Sequence, residues 1–224
     1  MGKRPVDCIC RNCGLKNTKQ CSDLCDRYIQ TQSLMDNSNL PQNYRVPLKL
    51  IITEKNKVDT EAYKRLADIK KDINDFVANG KNLYLCSTNF GNAKTSWAVK
   101  LLLNYFYKNW YRSYGQTKGI YVSVPKFIDD IKKFNNPPAY IQHIAEADIV
   151  IWDDIGCGAY ATDYQRQQLL MFIEDRMSAG KCNIYTSNIT NIFNLSENLG
   201  GRLASRVFNA SEVIEFHGTD FRGI

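Results

Sequence analysis

The sequence predicts an α/β protein whose core is a parallel β-sheet flanked by helices. Three observations lead to this fold class. From residue 45 onward, apolar strands of about five residues alternate with longer helices, which is the order of elements in a parallel sheet covered on both faces. A loop that resembles a phosphate-binding loop joins the first strand to a long helix. Five of the eight cysteines fall between residues 8 and 25, ahead of this core.

The strands are predicted from short apolar runs, and the helices from apolar residues that recur every three or four positions. Ala62, Leu66, Ile69, Ile73 and Phe76 follow this helical spacing, so the stretch that ends at the glycine of "ANGKN" is predicted as one amphipathic helix. The predicted strands are LYLCS, GIYVSV, ADIVIW, CNIYTSN and SEVIEF. The other predicted helices are KTSWAVKLLLNYFYKNWYRS, PKFIDDIKKF, DYQRQQLLMFIEDRMSAG and the later part of LGGRLASRVFN.

Three segments are predicted along the 224 residues: a cysteine-rich module over 1–30, a polar, turn-prone linker over 31–44, and the α/β core over 45–224. No apolar run approaches the roughly 20 residues that span a bilayer, and the N-terminus lacks the apolar stretch of a signal peptide. We therefore expect a cytoplasmic protein without membrane contact. The net charge of +6 permits contact with nucleic acid, although a solvated basic surface explains it equally well.

The stretch STNFGNAKTS follows the first predicted strand and contains most of the pattern G-x-x-x-x-G-K-[ST]. In such a loop, backbone N–H groups point at phosphate oxygens, the lysine reaches the β and γ phosphates, and the hydroxyl that follows ligates Mg²⁺. Thr88 and Ala93 stand where the pattern has glycines. A lysine at an ordinary helix start is the alternative. The candidate cofactor-binding residues of the loop are Thr88, Asn89, Phe90, Gly91, Asn92, Ala93, Lys94, Thr95 and Ser96.

Polar residues follow two later strands. The strand ADIVIW ends in Asp153 and Asp154, and CNIYTSN ends in Asn188. A carboxylate at the carboxyl end of a strand beside the phosphate loop can hold Mg²⁺ through Thr95 and water, so Asp153 is predicted to bind the cofactor. Asp154 is predicted to polarise the attacking water and Asn188 to orient it. The structural alternatives are an aspartate pair that caps a helix and a turn asparagine.

Two arginines, Arg202 and Arg206, lie four residues apart and therefore share one face of a helix. An arginine offered to the γ-phosphate of a neighbouring subunit stabilises the charge of the transition state. Both are candidate catalytic residues, and they predict self-association through the face that carries them. A solvated basic face is the alternative.

The order of these four elements, with spacings of about 60, 35 and 18 residues, resembles the helicase-loader branch of the AAA+ ATPases, the DnaC/DnaI type. The similarity begins at NLPQNYR, passes through the phosphate-loop, ADIVIWDDIG, YTSN and GRLASRV segments, and ends at the terminal FRG. It implies an AAA+ P-loop NTPase core that binds ATP and Mg²⁺ and helps to place a hexameric replicative DNA helicase on DNA during replication initiation. The short chain and divergent loop suggest a phage or mobile-element member.

The replaced glycines depart from the family pattern and leave open whether ATP is hydrolysed or only bound. Two alternatives follow. The protein is a non-hydrolysing adaptor that keeps the AAA+ shape, or it is a transposition-helper ATPase, which resembles the same core.

The cysteines form two short chelating pairs, Cys10-x2-Cys13 and Cys21-x3-Cys25. Two such pairs can enclose Zn²⁺ with four thiolates, and the metal would supply folding energy to a segment with few apolar residues. Cys8 can replace Cys10 as a ligand, and free thiols in a flexible tail are the alternative. The resemblance to DnaI-type loaders implies an N-terminal zinc module that contacts the helicase.

One aromatic stretch, NYFYKNWYRSY, interleaves Lys108 and Arg112 with rings, as surfaces that bind single-stranded DNA do. A helix that packs its aromatic side into the core explains the stretch more simply.

Overall fold

The structure is a computed structural model, which describes residues 25–45, 48, 50–131, 138–157 and 162–218. Within these ranges the chain forms five strands, nine α-helices and two short 3₁₀ helices. None of the helices in these ranges has the length and apolar character needed to cross a membrane. The elements are α1 Asp26–Asp36, 3₁₀ helices Gln42–Tyr44 and Glu54–Asp59, α2 Thr60–Lys71, α3 Ile73–Ala78, β1 Asn82–Cys86, α4 Lys94–Lys108, β2 Gly119–Ser123, α5 Val124–Asp130, α6 Ala139–His143, β3 Ile149–Asp153, α7 Asp163–Ser178, β4 Cys182–Ser187, α8 Ile192–Leu199, α9 Gly201–Phe208 and β5 Glu212–Glu215.

The five strands form one sheet in the order β2-β3-β4-β1-β5, and every neighbouring pair is parallel. This confirms the predicted α/β fold with a parallel sheet. The connection that leaves β1 runs to the β2 edge, whereas the connection that leaves β4 runs past β1 to β5. Ligands of open parallel sheets bind at the carboxyl ends of the strands, where the connections diverge in this way. The loop after β1 and the ends of β3 and β4 lie there.

Helices cover both faces of the sheet. In β1, Leu83 and Leu85 face the layer that contains α1 to α4, whereas Tyr84 and Cys86 face the layer that contains α5 to α9. All four side chains are buried. Burial on both faces explains why β1 to β4 are largely apolar runs in the sequence, whereas β5, with a glutamate at each end, is only partly buried.

The segment 31–44, predicted as a linker, is packed onto the core instead. Helix α1 occupies its first part, and Leu34, Met35 and Leu40 are almost completely buried in the layer that contains α4. These apolar residues are few and stand among polar ones. The composition of the segment therefore resembles that of a linker, although these three apolar side chains are buried in the core.

Several helices differ from the predicted ones. The helix expected to end at Gly80 is two helices, because the backbone at Asp72 leaves the helical region with φ −109° and ψ 33°. The helix that starts at Lys94 ends at Lys108 rather than at Ser113. The sequence did not predict α6 or α8. Both are short, of five and eight residues, and give little periodicity to detect.

Candidate nucleotide-binding site

The phosphate-loop candidate connects β1 to α4, as the sequence predicts. Its two residues with positive φ are Gly91 and Ala93, at 73° and 68°. Ala93, with ψ 10°, precedes the first residue of α4 in the left-handed conformation. An alanine in this conformation costs about 1 to 2 kcal/mol relative to its favoured one. The loop therefore keeps at Ala93 the backbone conformation that a glycine normally supplies.

Three side chains of the loop hold one another. Ser87 Oγ accepts hydrogen bonds from the backbone N–H of Asn89, at 3.0 Å, and from the side-chain amide of Asn92. Lys94 Nζ donates to the carbonyl oxygen of Asn89 at 3.1 Å and to Asn92 Oδ1 at 3.0 Å. Asn92 and Lys94 are buried, whereas Thr88, Asn89 and Phe90 are exposed. The ammonium group thus lies against the loop, at the first residue of α4.

Asp153 connects the end of β3 to α4. Thr95 Oγ1 donates to Asp153 Oδ1 over 2.7 Å, so the two residues predicted to hold Mg²⁺ are in contact. Thr186 Oγ1 on β4 donates to the same oxygen at 2.6 Å, and the hydroxyl of Tyr121 on β2 donates to Oδ2 at 2.5 Å. The carboxylate is only 5% exposed. Carboxylate and hydroxyl oxygens are ligands that suit Mg²⁺, so this donor set fits the metal.

Asp154 and Asn188 lie at the same edge of the sheet. The backbone N–H of Asp154 donates to Thr186 Oγ1 at 3.0 Å, and its φ is 59°. Asn188 Nδ2 donates to Cys157 Sγ at 3.5 Å. Burial raises the pKa of the Cys157 thiol above its ordinary value. The hydrogen bonds of Asn188 and the charge of Lys94 work against this rise, whereas the Asp154 carboxylate adds to it. The structure therefore gathers the predicted lysine, aspartates and asparagine around the ends of β1, β3 and β4.

The two candidate arginines lie on α9 and contact α7. Both pair with Glu174, and their side chains are 71% and 55% exposed for Arg202 and Arg206. These contacts do not involve the phosphate loop of the same chain. A role at the site of a neighbouring subunit stays a prediction.

The predicted zinc ligands fall mostly outside the described residues. Cys10, Cys13 and Cys21, together with the alternative ligand Cys8, belong to that part of the chain. Cys25 precedes α1, is half-buried, and forms no disulfide with any of the other cysteines that the structure describes. Among the described residues, no group of three or more metal-ligating side chains comes together. The zinc module stays a prediction.

Sequence reasoning missed Tyr121, Thr186 and Cys157, all of which contact predicted site residues. Thr186 had a detectable signal, because a threonine inside a completely buried strand needs a hydrogen-bond partner. Tyr121 had none, since a tyrosine in an apolar strand is ordinary core composition.

No protein-family model and no curated protein matches the chain. Several solved structures match its fold. The DnaC helicase loader superposes with a TM-score of 0.64 at 17% identity, over 79% of this chain and 100% of that one. DnaI superposes with a TM-score of 0.62 at 20% identity, over 82% and 94%. AMPPCP-bound DnaA from Aquifex aeolicus gives a TM-score of 0.56 at 18% identity, over 75% and 48%.

The fold is that of the DnaC helicase loader and of DnaI. The order of motifs in the sequence predicted this fold, and the parallel sheet with its loop after β1 confirms it. At these identities the similarity shows the fold alone.

Proposed function

We propose that this protein binds ATP with Mg²⁺ and helps to place a hexameric replicative DNA helicase on DNA during replication initiation. The observation that carries the proposal is the Thr95–Asp153 hydrogen bond beside Lys94, within a fold that this chain shares with proteins named as the DnaC helicase loader and DnaI. DnaA of the same fold has been solved with AMPPCP, an ATP analogue, which supports a nucleotide as ligand.

The residues divide the work of binding between them. Lys94 would exchange the oxygens of Asn89 and Asn92 for phosphate oxygens, and the N-terminus of α4 adds its positive end to the same anion. Thr95 and Asp153 would hold Mg²⁺, which neutralises charge on the phosphates when bound. Asp154 would accept a hydrogen bond from the attacking water, and Asn188 would orient it.

The non-hydrolysing adaptor is the main alternative. Lys94, Thr95 and Asp153 are all present and connected, and Ala93 preserves the conformation of the missing glycine. An adaptor that never bound nucleotide would need none of these features. The transposition-helper alternative has no specific observation in its favour.

Calorimetric titration with a non-hydrolysable ATP analogue and Mg²⁺ tests the site. The Lys94→Ala variant loses a charged donor to phosphate, so its affinity should fall by about ten- to a hundred-fold. Lys108→Ala, at the exposed end of the same helix, should bind as the wild type does. Equal affinities of all three proteins would overturn the assigned site. No binding by the wild type at millimolar analogue would favour the adaptor.

Co-elution with the purified replicative helicase of the host tests the partner. We expect one complex in size-exclusion chromatography with light scattering, and its mass should depend on ATP. Absence of a complex with and without ATP would overturn the loader function, whatever the result of the nucleotide titration.

Direct contact with single-stranded DNA is a further hypothesis. One part of the aromatic stretch NYFYKNWYRSY packs into the core, and another part is exposed at the surface. Tyr105 and Phe106 are buried in α4, as the core-helix interpretation requires. Beyond the helix end, Tyr111 and Tyr114 are 62% and 75% exposed, and the Arg112 guanidinium lies 5.3 Å from the Tyr111 ring centre. Exposed rings beside a cation suit base stacking and phosphate contact.

Fluorescence anisotropy with a labelled oligothymidylate tests this surface. Tyr111→Ala and Tyr114→Ala should each weaken binding by about ten-fold, since stacking of one base is worth roughly 1 to 3 kcal/mol. Tyr164→Ala, which removes an exposed tyrosine from α7, is the matched control. Identical binding by all variants would contradict the hypothesis.

A further inference from the structure

Tyr121 holds one end of the Asp153 carboxylate. It lies at the middle of the edge strand β2, is buried, and donates from its hydroxyl to Asp153 Oδ2 at 2.5 Å. Thr95 and Thr186 both donate to the other oxygen, Oδ1. Both carboxylate oxygens therefore accept hydrogen bonds from hydroxyl groups, which fixes the orientation of the carboxylate plane.

The phenol is the donor in this contact, because a carboxylate oxygen only accepts hydrogen bonds. A carboxylate held in this way presents its remaining lone pairs in one direction, which a metal with strict octahedral geometry such as Mg²⁺ requires.

The backbone of Tyr121 is held in turn by the segment that precedes the core. Its N–H donates to the carbonyl oxygen of Ser38 at 2.8 Å, and its carbonyl oxygen accepts from Asn39 Nδ2 at 2.9 Å. Asn39 adopts φ 56°, in the left-handed region. The neighbouring Leu40 is buried in the core and anchors the segment. Residues 38 and 39 thus cover the exposed edge of β2 at Tyr121 itself.

We propose that Tyr121 is a positioning residue for the metal site at Asp153, and that residues 38–39 hold Tyr121 in place, so that the segment leading from the cysteine-rich N-terminus is physically connected to the nucleotide site. This inference rests on the proposed function, because it concerns how the same Mg²⁺ is held. Tyr121 is thus a further residue of the metal site, outside the phosphate loop and the end of β3. Residues 38–39 give the N-terminal segment a contact with that site through Tyr121.

The test is a Mg²⁺ titration at a fixed concentration of a fluorescent ATP analogue. In Tyr121→Phe, the Mg²⁺ concentration for half-maximal binding should rise by about ten-fold, the loss of one hydrogen bond to a charged group. Nucleotide affinity in EDTA should equal that of the wild type. Tyr105→Phe also removes a tyrosine hydroxyl from a carboxylate, Asp148, but at the opposite end of the sheet, and should leave the Mg²⁺ dependence unchanged.

A second variant tests the N-terminal contact and does not disturb the core. Asn39→Gly tolerates the left-handed conformation and removes only the side-chain amide that bonds to Tyr121, so the Mg²⁺ midpoint should rise by about three-fold. It also keeps the inference testable if Tyr121→Phe fails to fold, as judged by thermal unfolding.

The outcomes separate the inference from the proposed function. Wild-type protein that binds no nucleotide at any Mg²⁺ concentration overturns both. Wild-type protein that binds in a Mg²⁺-dependent manner, with an unchanged midpoint in Tyr121→Phe, overturns the role of Tyr121 alone. A shifted midpoint in Tyr121→Phe with an unchanged one in Asn39→Gly overturns the connection to residues 38–39.

Discussion

Arg202 on α9 forms a two-point ion pair with Glu174 on α7, with N–O distances of 3.2 Å and 2.9 Å. Arg206 Nε binds the same carboxylate at 3.1 Å. One half-buried glutamate therefore holds two largely exposed guanidinium groups side by side. Such an arrangement keeps both arginines on the surface, where a neighbouring subunit could meet them.

Replacing the second arginine tests this surface. We expect Arg206→Ala to weaken ATP-dependent self-association by about ten-fold or more, because it removes the charge that is proposed to stabilise the γ-phosphate bound by a neighbouring subunit. The affinity of the isolated chain for nucleotide should not change. Light scattering with and without ATP measures the association. Arg65→Ala, which breaks an exposed ion pair with Glu212, is the matched control and should assemble as the wild type does. Unchanged assembly of Arg206→Ala would contradict the role of Arg206.

Ala93→Gly tests the strain in the phosphate loop. Glycine adopts the left-handed conformation of this position without steric cost, so the free energy of unfolding should rise by about 1 kcal/mol. Urea denaturation gives this quantity. Ala98→Gly, in the interior of α4, should lower the free energy of unfolding by about 1 kcal/mol or more. A loss of stability in Ala93→Gly would show that the loop does not hold the conformation described.

Tyr185→Phe tests a buried hydroxyl on β4. Among the residues that the structure describes, its oxygen has no hydrogen-bond partner, so removal should raise the free energy of unfolding by about 1 kcal/mol. Tyr84 pairs with Tyr185 across the sheet, and its hydroxyl donates to the carbonyl oxygen of Ile189 at 2.8 Å. Tyr84→Phe should therefore lower the stability by about the same amount. Equal effects of the two substitutions in denaturation experiments would refute this explanation.

Metal analysis tests the cysteine-rich segment. We expect about one Zn²⁺ per chain, held by four thiolates, and loss of the metal in Cys13→Ser. Comparison of Cys8→Ser with Cys10→Ser identifies the fourth ligand, because only the variant that lacks a true ligand should lose zinc. Wild-type protein purified without zinc, and unable to take it up, would favour free thiols.

Much of the fold could be predicted because its signals are local. Strands β1 to β4 are largely apolar runs of five or six residues, and the observed bounds of all five strands differ from the predicted ones by no more than two residues. Lys94, Thr95 and Asp153 could also be predicted from local signals. The first two end the phosphate-loop pattern, and Asp153 directly follows an apolar run. The break at Asp72 and the early end of α4 were not predicted, because helical periodicity continues past both points.

The sequence by itself determined the order of the strands and helices, the phosphate-loop candidate and the carboxylate that faces it, because these depend on neighbours a few residues apart. Only the tertiary structure showed that Leu34 and Leu40 belong to the core. It also showed that Glu174 forms ion pairs with the two arginines of α9, and that Tyr121 donates a hydrogen bond to Asp153. Tyr121 and Asp153 lie on adjacent strands, and residues 38–39, from a much earlier part of the chain, contact the backbone of Tyr121. Hydrophobic periodicity reports which side chains are buried, whereas the order of strands in the sheet determines which polar groups meet.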